Sequence, residues 1–174
     1  MQPFNEPAGN RSYTVTFACL PQTMEQFHSL PEAALTEVYH GAALVIPALC
    51  LWNKDKNIAI EMLQFLKGPT PLSAYEIQFI SDRLKGKDYL PFSYFSGTLP
   101  ENNYTPPQPY TLIISENRYS YQEKGYVKLT MQSGGADSPR PLQLRQKPSS
   151  GQWFLWEQML LSDIRQPAAA DPWA

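Results

Sequence analysis

The chain is 174 residues long and carries a net charge of −2, with its 14 lysines and arginines scattered along it. That length fits a single domain, 1–174, that buries its own core without disulfides or metal, and the charge lacks the basic footprint of a nucleic-acid binder. The longest apolar run, residues 42–52, is interrupted by Pro47 and covers about half of what a membrane span needs, so neither nucleic acid nor membrane is an expected partner.

Residues 1–10 have no basic segment leading into an apolar core, so a secretory signal is not expected and the predicted location is cytoplasmic. In that compartment Cys19 and Cys50 are expected as two buried, reduced thiols. Proline reaches 17 residues, about twice ordinary usage, and gathers at element boundaries, which points to stiff connections.

After a loose start at 1–10, Tyr13 to Ala18 alternates in the manner of a short strand. The helical part spans 19–87. Thr23 to Gln26 has capping-box spacing and opens one or two helical turns. Ser29-Leu30-Pro31-Glu32 predicts the start of a long helix whose core face is Leu35, Val38, Ala42, Val45, Ile46 and Leu49. Pro47 predicts a kink near Ala43 or a break into two helices. Asp55 caps a further helix ending at Gly68-Pro69, and Ser73 to Glu76 is a capping box opening a helix over 74–85 before Gly86.

Residues 88–109 place Tyr89, Phe92, Tyr94, Phe95 and Tyr104 among five prolines with no sustained period. They read as an ordered aromatic loop, of a length that is often functional. From 110 to 164, period-2 alternation between turns predicts an antiparallel meander of about four strands, and 166–174 reads as a loose tail. The expected fold class is α+β, N-terminal helices on a C-terminal sheet.

Ser133-Gly134-Gly135-Ala136-Asp137-Ser138 matches the phosphate-binding loop of the ATP-pyrophosphatase enzymes letter for letter. In that family the loop joins the first strand of a parallel sheet to a helix. Here it is followed by Pro139, Pro141 and strand-like alternation, so a tight turn is expected, with Gly134-Gly135 supplying positive φ and Asp137 or Ser138 bonding local backbone; the remaining reading is an anion site of another kind, supported by Arg140 and Arg145. His28 and His40 stand in no metal-ligand spacing, and no metal or cofactor is expected. Asp82, Glu101, Asp137 and Glu157 are acids near aromatic stretches without a pairing pattern. Trp153 and Trp156 are predicted on opposite faces of one strand.

Ser93-Tyr94-Phe95, Pro100-Glu101-Asn102-Asn103-Tyr104-Thr105-Pro106, the stretch Ser133 to Pro141, and Asp171-Pro172-Trp173-Ala174 resemble a family of small uncharacterised bacterial proteins, a domain of unknown function. Helices followed by a curved antiparallel sheet also look like the cystatin-like and nuclear-transport-factor-like folds, which hold a pocket between helix and sheet. Fold alone assigns no activity.

The expected function is a non-catalytic module that binds a protein partner or itself through the 88–109 aromatics and an exposed sheet face. The alternative is a small-ligand binder or enzyme with a pocket between helices and sheet. The candidate binding residues are Tyr94, Asn102, Asn103, Tyr104, Asp137, Arg140, Arg145 and Trp153.

Overall fold

The computed structural model describes residues 9–174, so most of the N-terminal stretch expected to be loose lies outside the described residues. Five strands form one antiparallel sheet in sequence order: β1 (Ser12–Phe17), β2 (Tyr110–Ser115), β3 (Tyr126–Met131), β4 (Arg140–Gln146) and β5 (Trp153–Gln158). The meander is therefore five strands, not four. The added strand is β1, which pairs with β2 from Ser12 opposite Ser115 to Phe17 opposite Tyr110.

The helices are α1 (Met24–His28), α2 (His40–Leu51), α3 (Lys56–Lys67), α4 (Ala74–Leu84) and α5 (Tyr89–Phe92). Three start where their capping residues stand. The side chains of Thr23, Asp55 and Ser73 accept from the backbone N–H groups of Gln26, Ile58 and Glu76, each satisfying one orphan donor of a helix N-terminus.

The long helix expected from Pro31 does not form. Residues Pro31–Ala34 make a short 3-10 turn, and Leu35 then adopts a left-handed conformation with φ of 58°. Tertiary structure outweighs the local start signal at this point. Leu35 is fully buried, and its carbonyl accepts a 2.8 Å hydrogen bond from the backbone N–H of Trp153 at the head of β5. Ser29 instead donates from its hydroxyl to the Gln26 carbonyl, closing α1.

Helix α2 then runs through Pro47 without a break. The proline is tolerated because the helix is packed on every side, with Gly41 to Leu49 all buried. The one-faced pattern expected of α2 is accordingly wrong: α2 is the central helix, touching the sheet, α3 and α5, and a helix apolar all round is a buried one. Its approach to the sheet is close, since a Cβ on Gly41 would lie 3.3 Å from Leu144 Cδ1. Leu112, Ile114, Val127, Leu129 and Leu144 fill the sheet side of this core.

Strands β2 and β3 are paired only at Ile114–Met131 and Ser115–Thr130. Where they diverge, residues 93–98 enter the gap. Ser96 N–H donates to the Thr111 carbonyl and Gly134 N–H donates to the Ser93 carbonyl, both at 2.8 Å. The 88–109 segment is thus part of the architecture, holding α5 and a 3-10 turn at Pro100–Asn102. Cys19 and Cys50 are free thiols, but Cys19 is exposed in the turn after β1 and Cys50 is half-buried, so neither is buried as expected.

Candidate functional site

The turn between β3 and β4 contains the Gly-Gly phrase, and its role differs from the expected one. Neither Gly134 nor Gly135 has positive φ. They are required for close approach: a Cβ on Gly134 would lie 1.9 Å from the Thr98 carbonyl oxygen, and one on Gly135 2.0 Å from the Tyr104 hydroxyl. The Ser133 hydroxyl is buried, bonded to Ser93 Oγ at 2.7 Å and accepting from Gly135 N–H at 3.1 Å. The turn joins two antiparallel strands and is covered by the chain itself, so its backbone amides do not face a phosphate.

Most of the candidate residues converge on one object, the chain's own C-terminal segment. Tyr94 donates from its hydroxyl to the Leu160 carbonyl. Arg140 donates to the carbonyls of Ser162 and Asp163, each at 3.0 Å, and Tyr104 donates to the Arg165 carbonyl at 2.5 Å. Asn103 accepts from Ala169 N–H at 2.9 Å, and Asp137 pairs with Arg165 at 2.9 Å on the surface. Asn102 acts locally, accepting from Leu99 N–H and donating to the Gly97 carbonyl.

Five of these side chains therefore clamp residues 160–169, and every bond but the Asp137 pair goes to main chain. Residue 169 is held, so the tail is not loose throughout. Burial pushes the Tyr94 phenol well above its ordinary range and the Tyr104 phenol up to about 12, as expected for hydroxyls kept neutral to donate.

The expected aromatic surface over 88–109 needs correction for the same reason. Tyr94, Phe95 and Tyr104 are buried, with Tyr104 stacked on Tyr89; their rings close the core. Trp153 likewise packs against the core from the start of β5.

Arg145 stands apart from the clamp. It is exposed on the outer face of the sheet, its guanidinium 4.8 Å from the Trp156 ring centre and 5.5 Å from that of Tyr126. A β-bulge places Trp156 there. Leu155 pairs with Leu144 and Glu157 with Gln143, leaving Trp156 between them without a cross-strand partner.

Around Trp156 a cleft runs over the edge of β5, between the end of α3 and α4. At its floor Lys67, only 6% exposed, donates to the Trp156 carbonyl at 3.2 Å and pairs with Glu76 Oε2 at 3.0 Å. Glu76 also accepts from Ser73 Oγ in the capping box, so one carboxylate ties the α4 start to the α3 end. Toward α4 the cleft holds about 290 Å³ and is walled by Tyr75 and Phe79. Tyr75 is 78% exposed, and Arg83 stacks 5.1 Å over Phe79. On the other side of Lys67 lies a pocket of about 220 Å³ between Pro69, Pro148, Phe154 and Trp156, with Arg145 and Lys147 at its rim.

Sequence reasoning missed Lys67, Tyr75, Glu76 and Phe79. A usable signal was present: Lys67 follows Leu63 by four, placing a charge on the buried face of α3, while Tyr75 and Phe79 share a face of α4 at the same spacing.

A second polar cluster, also missed, sits at the end of β2. Glu116, buried, accepts from Tyr13 at 2.6 Å, from Tyr121 and from Gly9 N–H at 2.8 Å. Burial pushes its carboxyl up, but these hydrogen bonds together with Arg11 outweigh that and hold it below its usual range. The cluster pins the β2–β3 connection to β1.

His28 packs its ring on Phe65, and His40 Nδ1 accepts from Glu37 N–H. Among the described residues no group of three or more His, Cys, Asp or Glu is placed to hold a metal ion, and no helix is long and apolar enough to cross a membrane. Asp82 accepts locally from Gln78, and Glu157 lines the cleft. No curated protein and no solved structure matches the chain. The family model of a domain of unknown function, DUF6935, matches residues 19–168, and the chain belongs to that family.

Proposed function

We propose that the protein is a non-catalytic interaction module and that a partner protein docks in the cleft over β5. The observation that carries this reading is the exposed aromatic row Tyr75–Phe79 facing Trp156 across a floor of rigid secondary structure. Exposed aromatics lining a concave surface are the usual anchoring sites of protein interfaces. The size of the pocket beside Trp156 supports a side chain as its occupant. Small-molecule sites usually hold about 300–1,000 Å³, whereas this one holds about 220 Å³.

The alternative of a ligand pocket between helices and sheet would occupy this same cleft, whose α4 half lies between Val45, Leu49 and Leu63 of the helices and Leu155 of β5; it has less support because apolar side chains fill the rest of that interface. A cytoplasmic setting is part of the same proposal, supported by two cysteines that are both free thiols.

The test is selection of displayed random peptides on the purified protein, followed by binding measurements on Tyr75→Ser and Trp156→Ser variants. Selected peptides should lose most of their affinity for both variants. Peptides that bind the variants as tightly as the parent would place the docking surface elsewhere. Self-association that the same substitutions abolish would make a second copy the partner.

A further inference from the structure

We infer that the pocket beside Trp156 recognises a carboxylate, so that the docking partner presents an acidic side chain flanked by apolar ones. The inference rests on the docking role proposed for the cleft and adds the chemistry of what enters it.

The charges around this pocket are of one sign. Its lining includes Lys67, Arg145 and Lys147 and no acid. Lys67 is already matched by Glu76. Arg145 and Lys147 have no carboxylate partner among the described residues, so two positive charges face the pocket unmatched.

Arg145 is also held ready. The rings of Tyr126 and Trp156 lie within cation–π distance of its guanidinium, which restricts a side chain that otherwise loses much rotamer freedom on binding. None of its N–H donors is hydrogen-bonded to another described residue. A planar fork with free donors matches the two oxygens of a carboxylate. Beneath it, Pro69, Pro148, Phe154 and Trp156 form apolar walls that suit the methylenes of a glutamate or the ring of a neighbouring residue. Lys147 at the rim adds attraction over the range of a Debye length, about 8–10 Å at ordinary ionic strength.

The other half of the cleft differs in sign. Its lining holds Lys67 and Glu76, matched to each other, and Glu157 beside Tyr75 and Phe79; Glu157 has no basic partner among the described residues. An acidic residue in the wrong half is therefore repelled, which fixes the direction in which a partner segment lies along β5.

The pocket can be probed without the partner. Titration of 3-phenylpropionate and of its neutral amide into isotopically labelled protein, followed by ¹H–¹⁵N correlation spectra, reports on the Trp156 indole N–H and the amides of 145–148. The acid should bind there about tenfold more tightly than the amide, as expected for a charge-assisted pair. The difference should shrink in high salt and disappear in Arg145→Gln. Thermal unfolding of that variant should match the parent, because Arg145 is exposed.

Equal binding of acid and amide, or acid binding that survives Arg145→Gln, overturns the carboxylate inference and leaves the docking proposal standing. The two readings separate in the other direction as well. Acid binding that depends on Arg145, together with no cleft-dependent peptide from the library, keeps the anion site and removes the docking role.

Discussion

A Cβ on Gly135 would lie 2.0 Å from the Tyr104 hydroxyl, the same hydroxyl that donates to the Arg165 carbonyl. Three distant parts of the chain, the β3–β4 turn, the 88–109 segment and the C-terminal segment, therefore meet at a point with no room for one more carbon. Gly135→Ala should cost about 3 kcal/mol, at the upper end of ordinary overpacking. Gly125 is the contrast. It has φ of +84° with open space around it, so Gly125→Ala carries only backbone strain of about 1 kcal/mol. Urea unfolding of both variants measures the difference, and equal losses would contradict the close-approach role of the Gly-Gly turn.

Arg140 grips the C-terminal segment through its fork, reaching the carbonyls of Ser162 and Asp163 while a third donor returns to Ser138. Arg140→Ala should cost about 2 kcal/mol and speed hydrogen exchange at the Arg165 amide, which donates to Gly135. Arg140→Lys should recover little of it, since an ammonium cannot reach both carbonyls in one plane. Full recovery by lysine would show that charge alone is what matters there.

What the sequence made legible was local. The capping oxygens of Thr23, Asp55 and Ser73 and the alternation of β3 and β4 state their own structure, because each effect acts within a few residues. What it hid was decided by distant partners. Leu35 ends the 3-10 turn at Pro31–Ala34 with its carbonyl bonded to Trp153 N–H, and no signal near residue 35 announces that. Gly134-Gly135 reads as a turn of positive φ until Thr98 and Tyr104 are seen against it. The same holds for the candidate residues. Tyr94, Asn103, Tyr104 and Arg140 were recognisable as polar groups with a binding task, but their ligand is the backbone of residues 160–169. Arg145 was legible as a charge on a strand, whereas the bulge that brings Trp156 beside it depends on pairing with β4.

The buried phenols make stability sensitive to alkali. Burial raises Tyr104 from its ordinary 10.0 to about 12 and raises Tyr94 further. The folded chain then keeps protons that the unfolded chain releases, so this contribution is complete below about pH 10 and is lost as pH rises from 10 toward 12. Unfolding free energy measured across that window should fall. Tyr104→Phe, less stable at neutral pH, should fall less steeply, and a parallel slope would assign the effect to other groups.

Glu116 acts at the other end of the scale. Its carboxyl is held below its ordinary 4.5, so its contribution is present above about pH 4.5 and is lost as pH falls below it. Glu116→Gln should cost about 2 kcal/mol near neutrality, the worth of hydrogen bonds to a charged acceptor. It should also flatten the acid limb of the stability profile. An unchanged limb would remove Glu116 from the acid response.

At the floor of the cleft the two partners of one ion pair should respond unequally. Lys67 is buried, while Glu76 is 38% exposed. Glu76→Gln strands a buried ammonium and should cost about 3 kcal/mol, whereas Lys67→Met leaves a carboxylate that water can reach and should cost about 1 kcal/mol. Thermal unfolding of the two variants ranks them; the reverse order would mean that Lys67 is more hydrated than its burial implies.

The most direct measurement is a ¹H–¹⁵N perturbation map of the protein with its tightest library-selected peptide. The docking proposal predicts shifts concentrated at Lys67, Tyr75, Phe79 and 154–157, with Tyr94, Tyr104 and 160–169 unmoved. Shifts confined to the C-terminal segment and its clamp, with the β5 cleft silent, would contradict it.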